Sequence, residues 1–132
     1  MRMTNPSPRL SDILGRQGAT LGAIGVGLAA YSTHAGGGEL GRTASQFLIL
    51  HAAALLGLAG AARGAALRRV AWLLFAGSTL AFGTLLFSGD LAMRAFRDVS
   101  LFPFAAPIGG SLMILAWVAL ALVFAVPEQR AE

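Results

Sequence analysis

Five side chains carry whatever chemistry this sequence could perform: His34, Gln46, His51, Ser88 and Asp90. Two histidines and a carboxylate form a metal-binding set or a proton relay if they converge. An ionisable group inside an apolar segment costs about 2.5–3.5 kcal/mol by insertion scales, so it marks a functional site by default. Histidine is cheaper, because it can stay neutral and hydrogen-bond to a neighbouring helix. The leading expectation for these residues is therefore a hydrogen-bonded structural role. A proton or small-solute path comes second and a metal site third. No serine lies in a nucleophile elbow and no carboxylates pair at catalytic spacing. The expectation is a protein that is not an enzyme, with no catalytic, cofactor or metal site.

The segments that must position these residues are apolar. The chain has 132 residues, 56% of them hydrophobic and 12% charged, with a mean hydropathy of +0.71. Soluble domains carry about 25% charged residues, and a chain this short has too little interior to hide so much apolar surface. A bilayer can solvate it, at roughly 20 apolar residues per crossing. Four such runs fit, at about 18–32, 43–62, 70–87 and 107–126. They predict an all-α membrane protein of four transmembrane helices in an up-down bundle. Short polar tails are expected at 1–17 and 127–132. There is no cysteine, which excludes disulfides and thiolate chemistry. The first run is short enough to resemble a signal-peptide core, but the residues after it make a poor cleavage site and three more runs follow, so it is expected to stay.

Within the tail, an interfacial helix is expected from Leu10, with Ser11 as N-cap and Asp12 in the first turn. In the first span Gly15, Gly18, Gly22, Gly25, Ala29 and Ser32 recur every three or four residues. In lipid, where apolar burial gives helices no reason to associate, small residues promote close packing. Gln46, Ala53, Gly57, Gly60 and Gly64 make a similar face on the second span, predicting a tight hairpin of helices 1 and 2 through the glycine-rich turn 34–42. His51 lies about 100° from that face, so Gln46 and His51 form no continuous polar stripe. In the third span Ala76, Gly83 and Asp90 share a face. Asp90, Arg94 and Asp98 follow at i, i+4 and i+8, an exposed ion-pair ladder if the helix runs on to Arg97. Ser100 opens a loop containing Pro103. Pro107 is expected at the first position of helix 4, followed by the small Gly109, Gly110 and Ser111. Trp117 is deep enough in that span to pack against protein or lipid.

The basic residues are ten arginines and no lysine, for a net charge of +4. They sit at span ends, which reads as topology signal and lipid contact, not nucleic-acid binding. With four spans one side holds Arg2, Arg9, Arg16, Arg63, Arg68, Arg69 and Arg130. The other holds Arg42, Arg94 and Arg97. The positive-inside rule then puts both termini in the cytoplasm.

Four pieces of this pattern resemble the small bacterial inner-membrane family catalogued as domain of unknown function 423. They are the glycine-rich first helix ending near His34; Ala44-Ser45-Gln46-Phe47-Leu48-Ile49-Leu50-His51 with the alanines and leucines after it; Leu86-Phe87-Ser88-Gly89; and Ala106-Pro107-Ile108-Gly109-Gly110 with Trp117 downstream. The resemblance covers about 18–117 and implies four spans and no established activity. Ala35 after His34, and the acidic Asp90 after Ser88-Gly89, depart from the family's pattern. Two functional expectations remain. One is a structural or accessory component of the inner (plasma) membrane, packing with itself or with a larger complex. The other is a small oligomeric channel or transporter for protons, ions or a small solute.

Overall fold

The computed structural model describes residues 7–127. They form four helices: α1 (Ser7–Ala35), α2 (Gly38–Ala62), α3 (Leu67–Arg97) and α4 (Ala105–Ala125). Chain breaks fall where the backbone must turn left-handed. Gly36 ends α1 at φ 74°, and the Gly37 N–H donates to Ser32 O at 3.2 Å. That bond closes a Schellman turn, which needs glycine at its left-handed position. The α1–α2 connection is consequently shorter than the predicted 34–42 turn. The long α3 runs to Arg97 as predicted.

The helix expected from Leu10 within the polar segment 1–17 is present, starts at Ser7 and is continuous with the first span; residues 1–6 and 128–132 of the expected tails lie outside the described residues. Pro8 lies in the first turn, where its missing N–H removes no helical bond, and no breaker follows before Gly36. Ser11 is therefore not an N-cap but a fully buried residue inside the helix, and Leu14 is fully buried beside it. Leu14 fits against Gly77 of α3, where any side chain would collide with it. Pro107 is also displaced: α4 starts at Ala105, after Phe104 at φ 68°, so the proline takes the third helical position. Its absent N–H is still one that no helical carbonyl would reach.

Helices α1, α2 and α3 pack on one another, and α4 brings its backbone close to α3 only, within 8 Å of neither α1 nor α2, while its Met113, Ala116 and Leu120 join the same buried cluster. The shared core is leucine-rich: Leu14, Leu21, Leu48, Leu55, Leu73 and Leu80, with Ala52, Ala59 and Ala76 filling between them. The outer surface is just as apolar. Val26, Phe75, Phe82, Ile114 and Leu122 are all exposed, an arrangement that suits lipid and not water. Three helices, α2, α3 and α4, are long and apolar enough to cross a membrane. α1, diluted by polar residues, is less clearly a span.

Two crossings bring backbones close. A Cβ on Gly18 would lie 2.9 Å from Ala52 O, and one on Gly25 would lie 2.8 Å from Ile49 Cγ1, while Gly22 has Ala52 Cβ at 3.5 Å. α1 thus meets α2 through the glycines expected to do so. The α2 side of this hairpin needs correction. Gly57 and Gly60 meet nothing within 4 Å, and α2 turns Gly41, Ala44, Leu48, Ala52, Leu55 and Ala59 inward instead. Leucines on that face provide the larger contact area, so they, and not the glycine stripe, set the rotation of α2. At the second crossing, Gly83 and Gly109 put α3 and α4 backbone to backbone: a Cβ on Gly109 would stand 2.6 Å from Phe87 N and 2.7 Å from Gly83 O. Gly110 is less confined, with Phe87 Cδ2 at 3.9 Å.

Candidate functional site

His51 is the polar residue at the middle of the fold. It projects from α2 and is 3% exposed. Its Nδ1 lies 2.7 Å from Phe47 O, one turn back on the same helix. Trp117 of α4 donates its Nε1–H to His51 Nε2 at 3.3 Å. A backbone carbonyl can only accept and an indole N–H can only donate, so the partners assign the imidazole proton to Nδ1. Around the imidazole stand Phe47, stacked at 5.7 Å between centroids, and Trp117 at 6.1 Å. Phe87 of α3 completes the cluster at 4.8 Å from Phe47. This bond joins α2 to α4, whose backbones do not touch.

Asp90 is fully buried on α3. Arg94 Nε donates to its Oδ2 at 2.8 Å, and the Leu101 N–H donates to its Oδ1 at 2.7 Å. The exposed ion-pair ladder is therefore corrected. Asp90 lies beneath the loop that returns from Asp98 to Phe104; its Oδ1 holds that loop at Leu101, and its Oδ2 is paired with Arg94 on the same helix. Asp98 sits at the end of α3 with φ 55°, a left-handed position that aspartate tolerates better than most residues. Arg94 keeps its side chain 46% exposed, so the pair is buried on one side only.

The remaining candidates lie apart. His34, at the end of α1, and Gln46, on the outer face of α2, are both exposed. Ser88 is buried, and its hydroxyl has no hydrogen-bond partner among the described residues. No group of three or more His, Asp or Glu side chains is placed to hold a metal ion among the described residues. His34, His51 and Asp90 do not form the cluster that their residue types allowed. A polar pair escaped the sequence reading: Gln17 Nε2 donates to Ser78 Oγ at 3.0 Å, tying α1 to α3. Its only sequence signal was a glutamine ahead of an apolar run and a serine within another. The position of Trp117 within its span predicts packing, and its donor role to His51 depends on the α2–α4 geometry.

The comparisons bear on the same stretch. A family model described as "Protein of unknown function (DUF423)" matches residues 21–110. The chain belongs to the DUF423 family. Among curated proteins it is similar to the UPF0382 inner membrane protein YgdD of Escherichia coli strain K12. They are 36% identical over 120 residues, covering 85% of this chain and 88% of that one. A protein of the same name from Shigella flexneri matches equally. No solved structure matches. The DUF423 match spans the second half of α1, all of α2 and α3 and the start of α4. It contains His51, Ser88, Asp90 and both glycines of the α3–α4 crossing, and ends before Trp117. The family resemblance read from the sequence is shown, and no specific function comes with it.

Proposed function

We propose that this chain is a non-enzymatic structural or accessory component of the bacterial inner membrane, with all four helices crossing the bilayer and both termini in the cytoplasm. One observation carries the structural role. The two buried ionisable side chains, His51 and Asp90, are each taken up by bonds within the fold. The first ties α4 to α2, and the second holds the loop leading into α4.

The four-span arrangement is supported by the hairpin. Gly15 faces Ala59, Gly18 faces Ala52, Gly25 faces Leu48, and Ser32 meets Gly41. α1 therefore runs antiparallel beside α2 along most of its length, and a bilayer crossed by α2 would enclose α1 too. Arg9, Arg16, Arg63, Arg68 and Arg69 gather at one end. At the other end Arg42 faces Glu39 and Arg94 is paired with Asp90. The positive-inside rule favours the cytoplasm for the first end. Association with a second copy or a larger membrane complex is supported by the open small-residue face of Ala53, Gly57 and Gly60 on α2, which would let another helix approach closely.

Two measurements test this reading. The cysteine-free sequence permits single-cysteine labelling without a background. With an impermeant maleimide outside spheroplasts, Glu39→Cys and Ser100→Cys should label, and Ser7→Cys and Pro127→Cys should be protected. Labelling of Ser7→Cys together with Glu39→Cys would mean that α1 does not cross. Native mass spectrometry of protein extracted from its own membrane should show a discrete larger species, lost in Gly57→Leu. A monomer with no co-purifying partner would defeat the accessory role.

A further inference from the structure

At the arginine-rich end, the start of α3 and the end of α4 enclose a groove of about 680 Å³ lined by Arg68, Arg69, Trp72, Ala119, Leu122 and Val126. Its walls are apolar, and among the described residues its charged lining consists of two arginines with no carboxylate. Arg69 is held in place: its Nη1 donates to Val126 O at 3.3 Å, and its guanidinium lies 5.3 Å from the Phe124 ring centroid. A guanidinium has five N–H donors, so most of its capacity is left for a ligand. Arg68 is exposed, and no hydrogen bond or ion pair ties its side chain to another described residue. One turn further into α3, Trp72 is exposed beside the groove, an amphipathic ring at the level where headgroups meet acyl chains.

The occupant this groove fits is negatively charged at one end and apolar along the rest. A free phosphate would use the arginines and leave the apolar walls empty, and a neutral lipid would leave two cations unmatched. We propose that the groove between α3 and α4 binds an anionic phospholipid, its phosphate against Arg68 and Arg69 and an acyl chain between Trp72 and Leu122. Arginine forks match phosphate geometry, and basic pockets between transmembrane helices on the cytoplasmic side are suited to such headgroups. The site requires the chain to lie in a bilayer and does not depend on the accessory role.

The test is native mass spectrometry of the full chain in detergent with phosphatidylglycerol or phosphatidylcholine of identical acyl chains. Phosphatidylglycerol should remain bound preferentially. Arg68→Gln, which breaks no side-chain bond among the described residues, should weaken it roughly fivefold, and the Arg68→Gln/Arg69→Gln pair about 25-fold. Arg97→Gln removes the same charge at the opposite end and should leave binding unchanged. Ala119→Phe fills the groove with both arginines intact and should abolish retention, with helical melting confirming that the variant folds. Equal binding of phosphatidylcholine would overturn the proposal. So would an equal loss in Arg97→Gln, or displacement of the lipid by glycerol phosphate at matched concentration.

Discussion

Gly109→Ala should loosen α4 from the rest of the molecule, and the structure sets the size of the effect. The added Cβ would stand 2.6 Å from Phe87 N, and comfortable contact begins near 3.4 Å, so the two backbones must separate by about 0.8 Å. The obstacle is backbone on both sides, which cannot rotate away as a side-chain tip would. Overpacking of this kind costs about 1–3 kcal/mol. The separation also stretches the Trp117–His51 bond, already 3.3 Å long, and an interhelical hydrogen bond in a membrane adds about 0.6 kcal/mol. A loss of roughly 1.5–3.5 kcal/mol follows. Reversible unfolding in mixed detergent micelles, followed by circular dichroism, measures it. Emission from Trp117 in a Trp72→Phe background reports the local separation. Gly57→Ala is the matched control, because its Cβ meets nothing within 4 Å, and it should be neutral or slightly stabilising through helix propensity. If Gly109→Ala unfolds with the wild type, or Gly57→Ala loses as much, the backbone-contact reasoning is wrong.

Three further perturbations separate the polar ties. In a double-mutant cycle of His51→Ala and Trp117→Phe, the coupling energy should be about 0.6–1.7 kcal/mol, and a value of zero would mean the bond contributes nothing. Asp90→Ala leaves the Leu101 N–H without its acceptor and should cost about 1–3 kcal/mol, with hydrogen exchange accelerating at Leu101 before it does in the α2 core. Ser88→Ala removes a buried hydroxyl that makes no bond among the described residues and should stabilise by about 1 kcal/mol; destabilisation would show that the hydroxyl has a partner in the membrane.

Apolar periodicity made the number of helices legible from the sequence, and the spacing of Asp90 and Arg94 correctly carried α3 out to Arg97. The glycines of α1 were legible for the same reason, since Gly18 and Gly25 have no competing signal on their face. On α2 two faces competed. Gly57 and Gly60 mimicked a packing seam, while Leu48, Leu55 and Ala59 offered more contact area and prevailed. Composition cannot rank those faces, because lipid accepts leucine and glycine alike. Asp90 was misread because helix spacing describes neighbours along one helix and is silent about a loop folding back over it. Trp117 and His51 lie 66 residues apart, and their bond depends on the azimuth of two helices that share no backbone contact.

That azimuth explains why the polar residues sit where they do. α4 is apolar on every face, so transfer from lipid to a protein neighbour gains it little, and apolar burial cannot orient it. What can orient it are contacts that lipid does not supply, and these occur at three levels along the helix. Arg69 binds Val126 O near its end, His51 accepts from Trp117 at its middle, and Gly83 meets Gly109 near its start. Asp90 fixes the loop that delivers it. α1, α2 and α3 share a leucine core and need fewer such ties. Of the side chains that could have formed a reaction centre, the two that are buried and bonded, His51 and Asp90, thus serve the one helix whose position lipid would otherwise leave undetermined.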